Sequence, residues 1–149
     1  MEWAEWAQFA LTSAIGVVVA YLAVQQYRTD RHRLKNELFD KRYKLYEAAQ
    51  RLIIDCMNFG TLDDEKYSRF RAEVSSCQFV LSDARAIEYL GLLKKESLRL
   101  LDLLDAINDL PDGPELEAKK KERRELAKWF REQPDVIGQV FLRDLKLGA

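Results

Sequence analysis

A charge-free stretch near the N-terminus constrains this chain more than any other feature. Residues 6–24 read WAQFALTSAIGVVVAYLAV and contain no Asp, Glu, Lys or Arg. As a helix these residues cover about 28 Å, which matches the hydrocarbon core of a bilayer, about 30 Å thick. Trp3 and Trp6 at one end, and Tyr21 and Tyr27 at the other, stand where aromatic rings prefer the headgroup level. The sequence therefore predicts one transmembrane helix.

Two other interpretations of this stretch are a cleaved signal peptide and a helix buried in a soluble core. A signal peptide begins with a positively charged region, whereas this chain begins MEWAE. A soluble core helix seldom runs so far without a charge, and valine, which is frequent here, forms helices weakly. We therefore favour the membrane anchor.

Basic residues predict the orientation of this anchor. None precedes residue 6, and seven follow the stretch closely: Arg28, Arg31, Arg33, Lys35, Lys41, Arg42 and Lys44. Because basic segments remain on the cytoplasmic side, the N-terminus is expected outside and the rest of the chain in the cytoplasm of a bacterial inner membrane. Arg28, Arg31, Arg33 and Lys35 are also candidates for binding anionic lipid. Setting the topology alone is the alternative role for the same charges.

Three small side chains indicate that the anchor associates with other helices. Thr12, Gly16 and Ala20 recur every four residues, so they share one face on which a second helix can approach closely. This pattern predicts a homo-oligomer. The alternative is that the face contacts only lipid, because small residues are common in membrane helices.

The rest of the chain predicts an all-α fold. Residues 25–37 are polar, lack Gly and Pro, and favour a helix that continues from the membrane as a stalk. An apolar stripe then follows, with one residue on the same helix face every seven positions: Leu38, Leu45, Leu52 and Phe59. We expect this stripe to provide packing contacts in the stalk and the bundle. We predict an anchor over residues 1–27, a stalk over 28–37, and a cytosolic antiparallel bundle of about four to five helices over 38–149.

Helix ends within the bundle are marked by capping residues and turn signals. Gly60 predicts the end of the first helix, and Asp63 or Asp64 caps a second helix over residues 64–81. Ser82 or Asp83 caps a third over 84–108, and LPDGP at 110–114 is a turn. A fourth helix is predicted over 114–132, with a short fifth that opens at Pro134. Cys56 and Cys77 are interpreted as core residues too far apart to form a disulfide.

The sequence predicts no catalytic residue, metal or cofactor, and hence no enzyme. His32 is the one histidine, so the paired Glu-x-x-His motifs of a di-iron bundle are impossible. No glycine-rich phosphate-binding motif occurs. Two further groups of charged residues are interpreted as solvated helix faces. The acidic group is Asp102, Asp105 and Asp109, and the basic group is Lys119, Lys120, Lys121, Arg123 and Arg124. Acids interrupt the basic group, so we expect no nucleic acid.

Two segments resemble a group of uncharacterised bacterial single-pass membrane proteins. Residues 37–52 read ELFDKRYKLYEAAQRL, and residues 79–103 read FVLSDARAIEYLGLLKKESLRLLDL. In that group a membrane helix is followed by a Leu-Phe-(Asp/Glu)-(Lys/Arg)-Arg-(Tyr/Phe) segment. The resemblance implies the same topology and a bacterial origin, and it brings no activity with it.

These patterns favour a non-enzymatic oligomeric scaffold that contacts membrane lipids, other copies of itself and an unidentified protein partner. A different class is a membrane-perturbing effector of the bacterial defence type, in which the cytosolic bundle senses a signal and the membrane helices permeabilise the bilayer. A third is an enzyme that uses a pocket between helices.

Overall fold

The computed structural model describes the backbone of residues 2–58 and 62–146, and the side chains of residue 3 and of residues 13–58 and 62–146. Within this part the protein is helical and contains no strand, which confirms the predicted all-α class. The chain divides into two units, Met1–Leu38 and Phe39–Ala149.

Five helices follow one another in the described residues: α1 (Glu2–Met57), α2 (Asp64–Glu73), α3 (Cys77–Val80), α4 (Ala84–Asp109) and α5 (Pro114–Leu145). The first is a single helix through the residues predicted as anchor and stalk. This helix contains no proline, and its one glycine, Gly16, does not interrupt it.

No helix in the described part of the chain combines the length and the apolarity needed to cross a bilayer. The side chains of residues 6–12, which belong to the predicted anchor, lie outside the described residues.

The second unit is built around α4, which packs against both α2 and α5. Apolar side chains at three- and four-residue spacing along α1, α4 and α5 are removed from water together. The largest fully buried apolar side chains are Ile53 and Cys56 of α1, Leu90, Leu93 and Leu100 of α4, and Phe130, Ile137 and Phe141 of α5. These residues form one hydrophobic core.

Helix α5 corrects the prediction of two helices divided at Pro134. The proline lies inside one helix of 32 residues, where its missing N–H and its ring cost about 3 kcal/mol. Phe130 precedes it and Ile137 and Phe141 follow it, all on the same buried face. Because each such side chain contributes about 1.5–3 kcal/mol on burial, packing on both sides of Pro134 outweighs the cost of continuing the helix.

The predicted helix over residues 64–81 is interrupted. Helix α2 ends at Glu73, and a turn over residues 74–76 separates it from the single turn of α3. The hydroxyl of Ser75 donates to the carbonyl oxygen of Ala72 at 2.7 Å, and serine side chains that bond to nearby backbone in this way compete with regular helix.

The predicted helix caps at Asp63 and Asp83 are confirmed by hydrogen bonds to the first turn of the helix that follows each. A carboxylate oxygen of Asp63 accepts a hydrogen bond from the Lys66 N–H at 2.8 Å, and Asp83 accepts one from the Arg85 N–H at 3.1 Å. Pro114 occupies the first turn of α5, where its missing N–H costs nothing. Gly60 lies outside the described residues.

Cys56 and Cys77 are both free thiols. Cys56 is fully buried in the core, whereas Cys77 is half-buried against it.

Candidate functional site

A basic groove runs along α1 directly after the charge-free stretch. Its volume is about 430 Å³, and its lining residues are Val24, Tyr27, Arg28, Arg31, His32 and Lys35. The steps of three and four residues between them place all six on one side of the helix. Each of these residues is exposed. We call the part of this surface formed by Arg28, Arg31, His32 and Lys35 the basic face.

The structure separates Arg33 from the other three cations predicted to bind lipid. Arg33 lies about 160° around the helix from Arg31 and from Lys35. Its Nε donates to Oε1 of Glu37 at 3.2 Å, an ion pair between successive turns. Asp30 and Glu37 both lie within about 60° of Arg33. The acids of this segment are therefore on the side opposite the basic face.

His32 is the member of this site that the sequence analysis missed. In the sequence it was considered only as a metal ligand, although its spacing from Arg28 and Lys35, four and three residues, places it on their side of the helix. The structure confirms that it lines the groove with them.

The basic face presents groups that bind anions. Guanidinium groups present several N–H donors in a planar fork that matches phosphate oxygens, and an ammonium group attracts phosphate as a point charge. Near a membrane surface each such cation contributes about 1 kcal/mol to binding of anionic lipid. The ring of Tyr27 and the side chain of Val24 give the groove an apolar end.

The described part of the charge-free stretch is exposed along its length. Residues 13–24 are all exposed, and the large apolar side chains among them are each more than half accessible: Ile15, Val17, Val18, Val19, Leu22 and Val24. Apolar surface left in water costs about 25 cal/mol for each Å². This surface therefore favours a lipid or protein environment.

The residues predicted for helix association and for the membrane interfaces are only partly within the described residues. Gly16 and Ala20 are exposed, and a Cβ added at Gly16 would meet no atom within 4 Å. Trp3, Tyr21 and Tyr27 are exposed as well. The side chains of Thr12 and Trp6 lie outside the described part.

Of the four residues in the predicted packing stripe, Leu45 and Leu52 are buried in the core of the second unit. Leu38 is half-buried, and Phe59 lies outside the described residues.

A buried carboxylate in the second unit is engaged in structural hydrogen bonds. Asp144 of α5 accepts hydrogen bonds from the N–H of Ser82 at 2.9 Å, from the Ser82 hydroxyl at 3.0 Å and from the N–H of Asp83 at 3.2 Å. Beside it, hydrogen bonds from Arg85 lower the pKa of Asp83. These carboxylates cap and connect helices, which explains their burial without a substrate.

The pocket between α4 and α5 is lined in part by residues that pair with one another. It has a volume of about 310 Å³ and is lined by Leu92, Glu96, Arg99, Glu122, Glu125, Leu126 and Trp129. Arg99 donates through Nε to Glu122 at 3.1 Å and lies 3.5 Å from Glu96. The hydrogen bond from Arg99 lowers the pKa of Glu122, so this carboxylate is charged at neutral pH and already paired.

The other charged patterns lie at the surface, where their side chains are exposed or half-buried. Asp102, Asp105 and Asp109 are exposed. In the basic segment of α5, Lys120 pairs with Glu117 at 2.9 Å, and Lys119 lies 3.9 Å from Glu122. Within the described residues no group of three His, Cys, Asp or Glu side chains is placed to hold a metal ion.

Comparison of the chain with protein families, with curated proteins and with solved structures gave no match.

Proposed function

We propose that this protein is a single-pass inner-membrane protein of bacteria that acts as a non-enzymatic oligomeric scaffold, with residues 39–149 in the cytoplasm as a protein-interaction module. One observation carries the proposal: an exposed charge-free surface over residues 13–24 leads, four residues after Val24, into a face with only cationic charge. An anchor followed by a cytoplasmic headgroup contact has this order of surfaces.

The length of the charge-free stretch supports a crossing. Residues 13–24 alone cover about 18 Å as a helix, so the proposed span also takes in residues 6–12, and the full stretch then covers about 28 Å. The cations that follow at Arg28, Arg31 and Lys35 favour retention of that end in the cytoplasm, which places the N-terminus outside.

The open surface at Gly16 supports self-association of the anchor. In a bilayer, helices associate by close packing at small residues, because lipid already satisfies apolar side chains. Thr12, Gly16 and Ala20 would form that contact between copies. The second unit has its own hydrophobic core and exposes Phe79, at 80% accessibility, and Leu142 as candidate contacts for a protein partner.

Integration and topology are tested first, in a bacterium that expresses the full chain. We expect the protein to remain in the membrane after alkaline carbonate extraction, and protease added to intact spheroplasts to leave the second unit uncut. Val18→Asp, which places a charge near the centre of the span at a cost of about 3 kcal/mol, should release protein into the soluble fraction. Complete extraction of the unmodified protein by carbonate would refute the anchor.

Self-association is tested by crosslinking in intact membranes, comparing two substitutions that each introduce a leucine side chain. Gly16→Leu should weaken multimers because it fills the proposed contact face. Ala14→Leu, about 160° around the helix, should leave them intact. A monomer under all conditions, or equal effects of the two substitutions, would refute the proposed face.

The same strain separates the scaffold from the membrane-perturbing effector. A scaffold should leave the membrane potential unchanged when the protein is induced. Depolarisation of the cells, followed with a potential-sensitive dye, would instead indicate the effector.

A further inference from the structure

We infer that the basic face of Arg28, Arg31, His32 and Lys35 binds the headgroup of a phospholipid that carries two phosphates, in the cytoplasmic leaflet. The inference rests on the proposed function, because the anchor is what brings this face to the bilayer.

The position of the basic face along α1 suits headgroups. Arg28 lies about 6 Å beyond Val24 along the helix, and Lys35 lies about 16 Å beyond it. Side chains of a helix lean toward its N-terminus, which here is toward the membrane. The long side chains of Arg31 and Lys35 therefore extend back toward the headgroup layer, as cationic side chains do at membrane interfaces.

The charge on this face exceeds what one phosphate neutralises. Arg28, Arg31 and Lys35 bring three positive charges, and His32 adds ring nitrogens for hydrogen bonding. The nearest acids, Asp30 and Glu37, lie on the other side of the helix, and Glu37 is paired with Arg33. A singly charged headgroup neutralises one of these three charges, whereas a headgroup with two phosphates neutralises two.

The spacing of the cations also favours two anionic groups. Arg28 and Lys35 are two helical turns apart, about 10 Å along the axis, with Arg31 and His32 between them. One phosphate placed between Arg28 and Arg31 lies a turn or more from Lys35. His32 and Lys35 are therefore available to a second phosphate on the same lipid. Val24 and Tyr27 line the membrane end of the groove, where its apolar part would lie.

The test uses the full chain, reconstituted into phosphatidylcholine nanodiscs that contain either cardiolipin, with two phosphates per lipid, or phosphatidylglycerol, with one, at equal total phosphate. Native mass spectrometry then measures the lipid retained by the released protein. We expect cardiolipin to be retained in preference to two molecules of phosphatidylglycerol. Equal retention per phosphate would overturn the inference.

Two arginines two residues apart provide matched variants. Arg31→Gln should lower cardiolipin retention about five-fold, since each cation near the surface contributes about that factor. Arg33→Gln makes the same change on the opposite side of the helix and should lower retention less than about two-fold. Equal losses in the two variants would show attraction by net charge alone and overturn the site.

Two further measurements separate the possible failures. Inorganic pyrophosphate added to the protein in detergent should not displace cardiolipin at equal concentration, and full displacement would indicate a site for free phosphate. Flotation with pure phosphatidylcholine vesicles reports the anchor independently of the basic face. Protein that floats but does not discriminate between the lipids refutes the site alone, whereas protein that does not float refutes the anchor.

Discussion

Arg42 of α1 and Asp144 of α5 meet within the second unit although 102 residues separate them. Nη1 of Arg42 donates to the carbonyl oxygen of Asp144 at 3.2 Å, and Nε lies 3.8 Å from its Oδ1. The guanidinium also donates to the carbonyl oxygen of Val80 at 3.0 Å and to the Ser82 hydroxyl at 2.7 Å. This pair therefore fastens α1 and α5 to the segment that precedes α4.

Replacing Asp144 should destabilise the second unit. Asp144→Ala leaves the N–H groups of Ser82 and Asp83 and the charge of Arg42 without their acceptor, so we expect the free energy of unfolding to fall by about 3 kcal/mol. Asp144→Asn keeps one carbonyl oxygen and should lose about half of that. The measurement is urea unfolding of the full chain in detergent, followed by circular dichroism.

The control for this prediction is Asp135→Ala, which removes an exposed carboxylate from the same helix. It should change the free energy of unfolding by less than about 0.5 kcal/mol. Similar losses at Asp135 and Asp144 would show that the hydrogen bonds of Asp144 contribute nothing specific.

Two phenylalanines test where the core lies. Phe141 is fully buried, and its ring meets that of Tyr46 edge to face, with the centroids 5.8 Å apart. Phe141→Ala should lower the free energy of unfolding by about 3–5 kcal/mol, because it leaves a cavity in packed surroundings. Phe79→Ala removes a ring that is 80% exposed and should change it by less than about 0.5 kcal/mol. Equal effects in urea unfolding would contradict the described core.

Local signals in the sequence determine several helix ends of the fold. Asp63 and Asp83 cap the helices that follow them, because a carboxylate at that position accepts an otherwise unpaired N–H. The turn before Pro114 was predictable from the two prolines and the glycine of LPDGP, which favour a turn and interrupt a helix. The continuation of α5 through Pro134 was not, because it depends on Phe130 and Phe141 packing into a core assembled by distant parts of the chain.

The candidate site was predictable in part. The concentration of basic residues after the charge-free stretch is plain from the sequence, but distance along the chain does not tell which side of a helix a residue occupies. Arg33 is closer to the stretch than Lys35 along the chain, yet it faces away and pairs with Glu37. His32 was recoverable from its three- and four-residue spacing to Lys35 and Arg28.

Removing the proline inside α5 should stabilise the protein. Pro134 is exposed, and Pro134→Ala restores a backbone N–H that can donate to the carbonyl oxygen of Phe130. We expect a gain of about 1 kcal/mol, less than the full penalty of an interior proline because the surrounding helix has already adjusted. Asp135→Ala is the control in the same thermal melts, and a lower melting temperature for Pro134→Ala would show that the proline is needed for the packing of α5.

The two cysteines should differ in reactivity. Burial, and secondarily the charge of Asp55, raises the pKa of the Cys56 thiol. Because the thiolate is the nucleophile, iodoacetamide at neutral pH should modify Cys56 at least about ten-fold more slowly than the half-buried Cys77. Mass-spectrometric mapping of the unmodified chain over time gives both rates, and in urea they should converge. Equal rates in the folded protein would contradict the burial of Cys56.

The ion pair between α4 and α5 should contribute stability that depends on pH. The hydrogen bond from Arg99 lowers the pKa of Glu122. A carboxylate with a lowered pKa in the folded state stabilises that state above its ordinary pKa, and this contribution is lost as the pH falls through the folded-state value. Both side chains are partly exposed, so Arg99→Gln should cost only about 0.5 kcal/mol at neutral pH.

The pH dependence of this pair is read from the difference between two melting curves. The gap in melting temperature between the unmodified chain and Arg99→Gln should be present at neutral pH. It should shrink as the pH falls well below about 4.3, the ordinary pKa of a glutamate. Lys128→Gln removes an exposed cation from α5 and controls for the change in net charge. A gap that stays constant with pH, or one that Lys128→Gln reproduces, would show that α4 and α5 are held together without this pair.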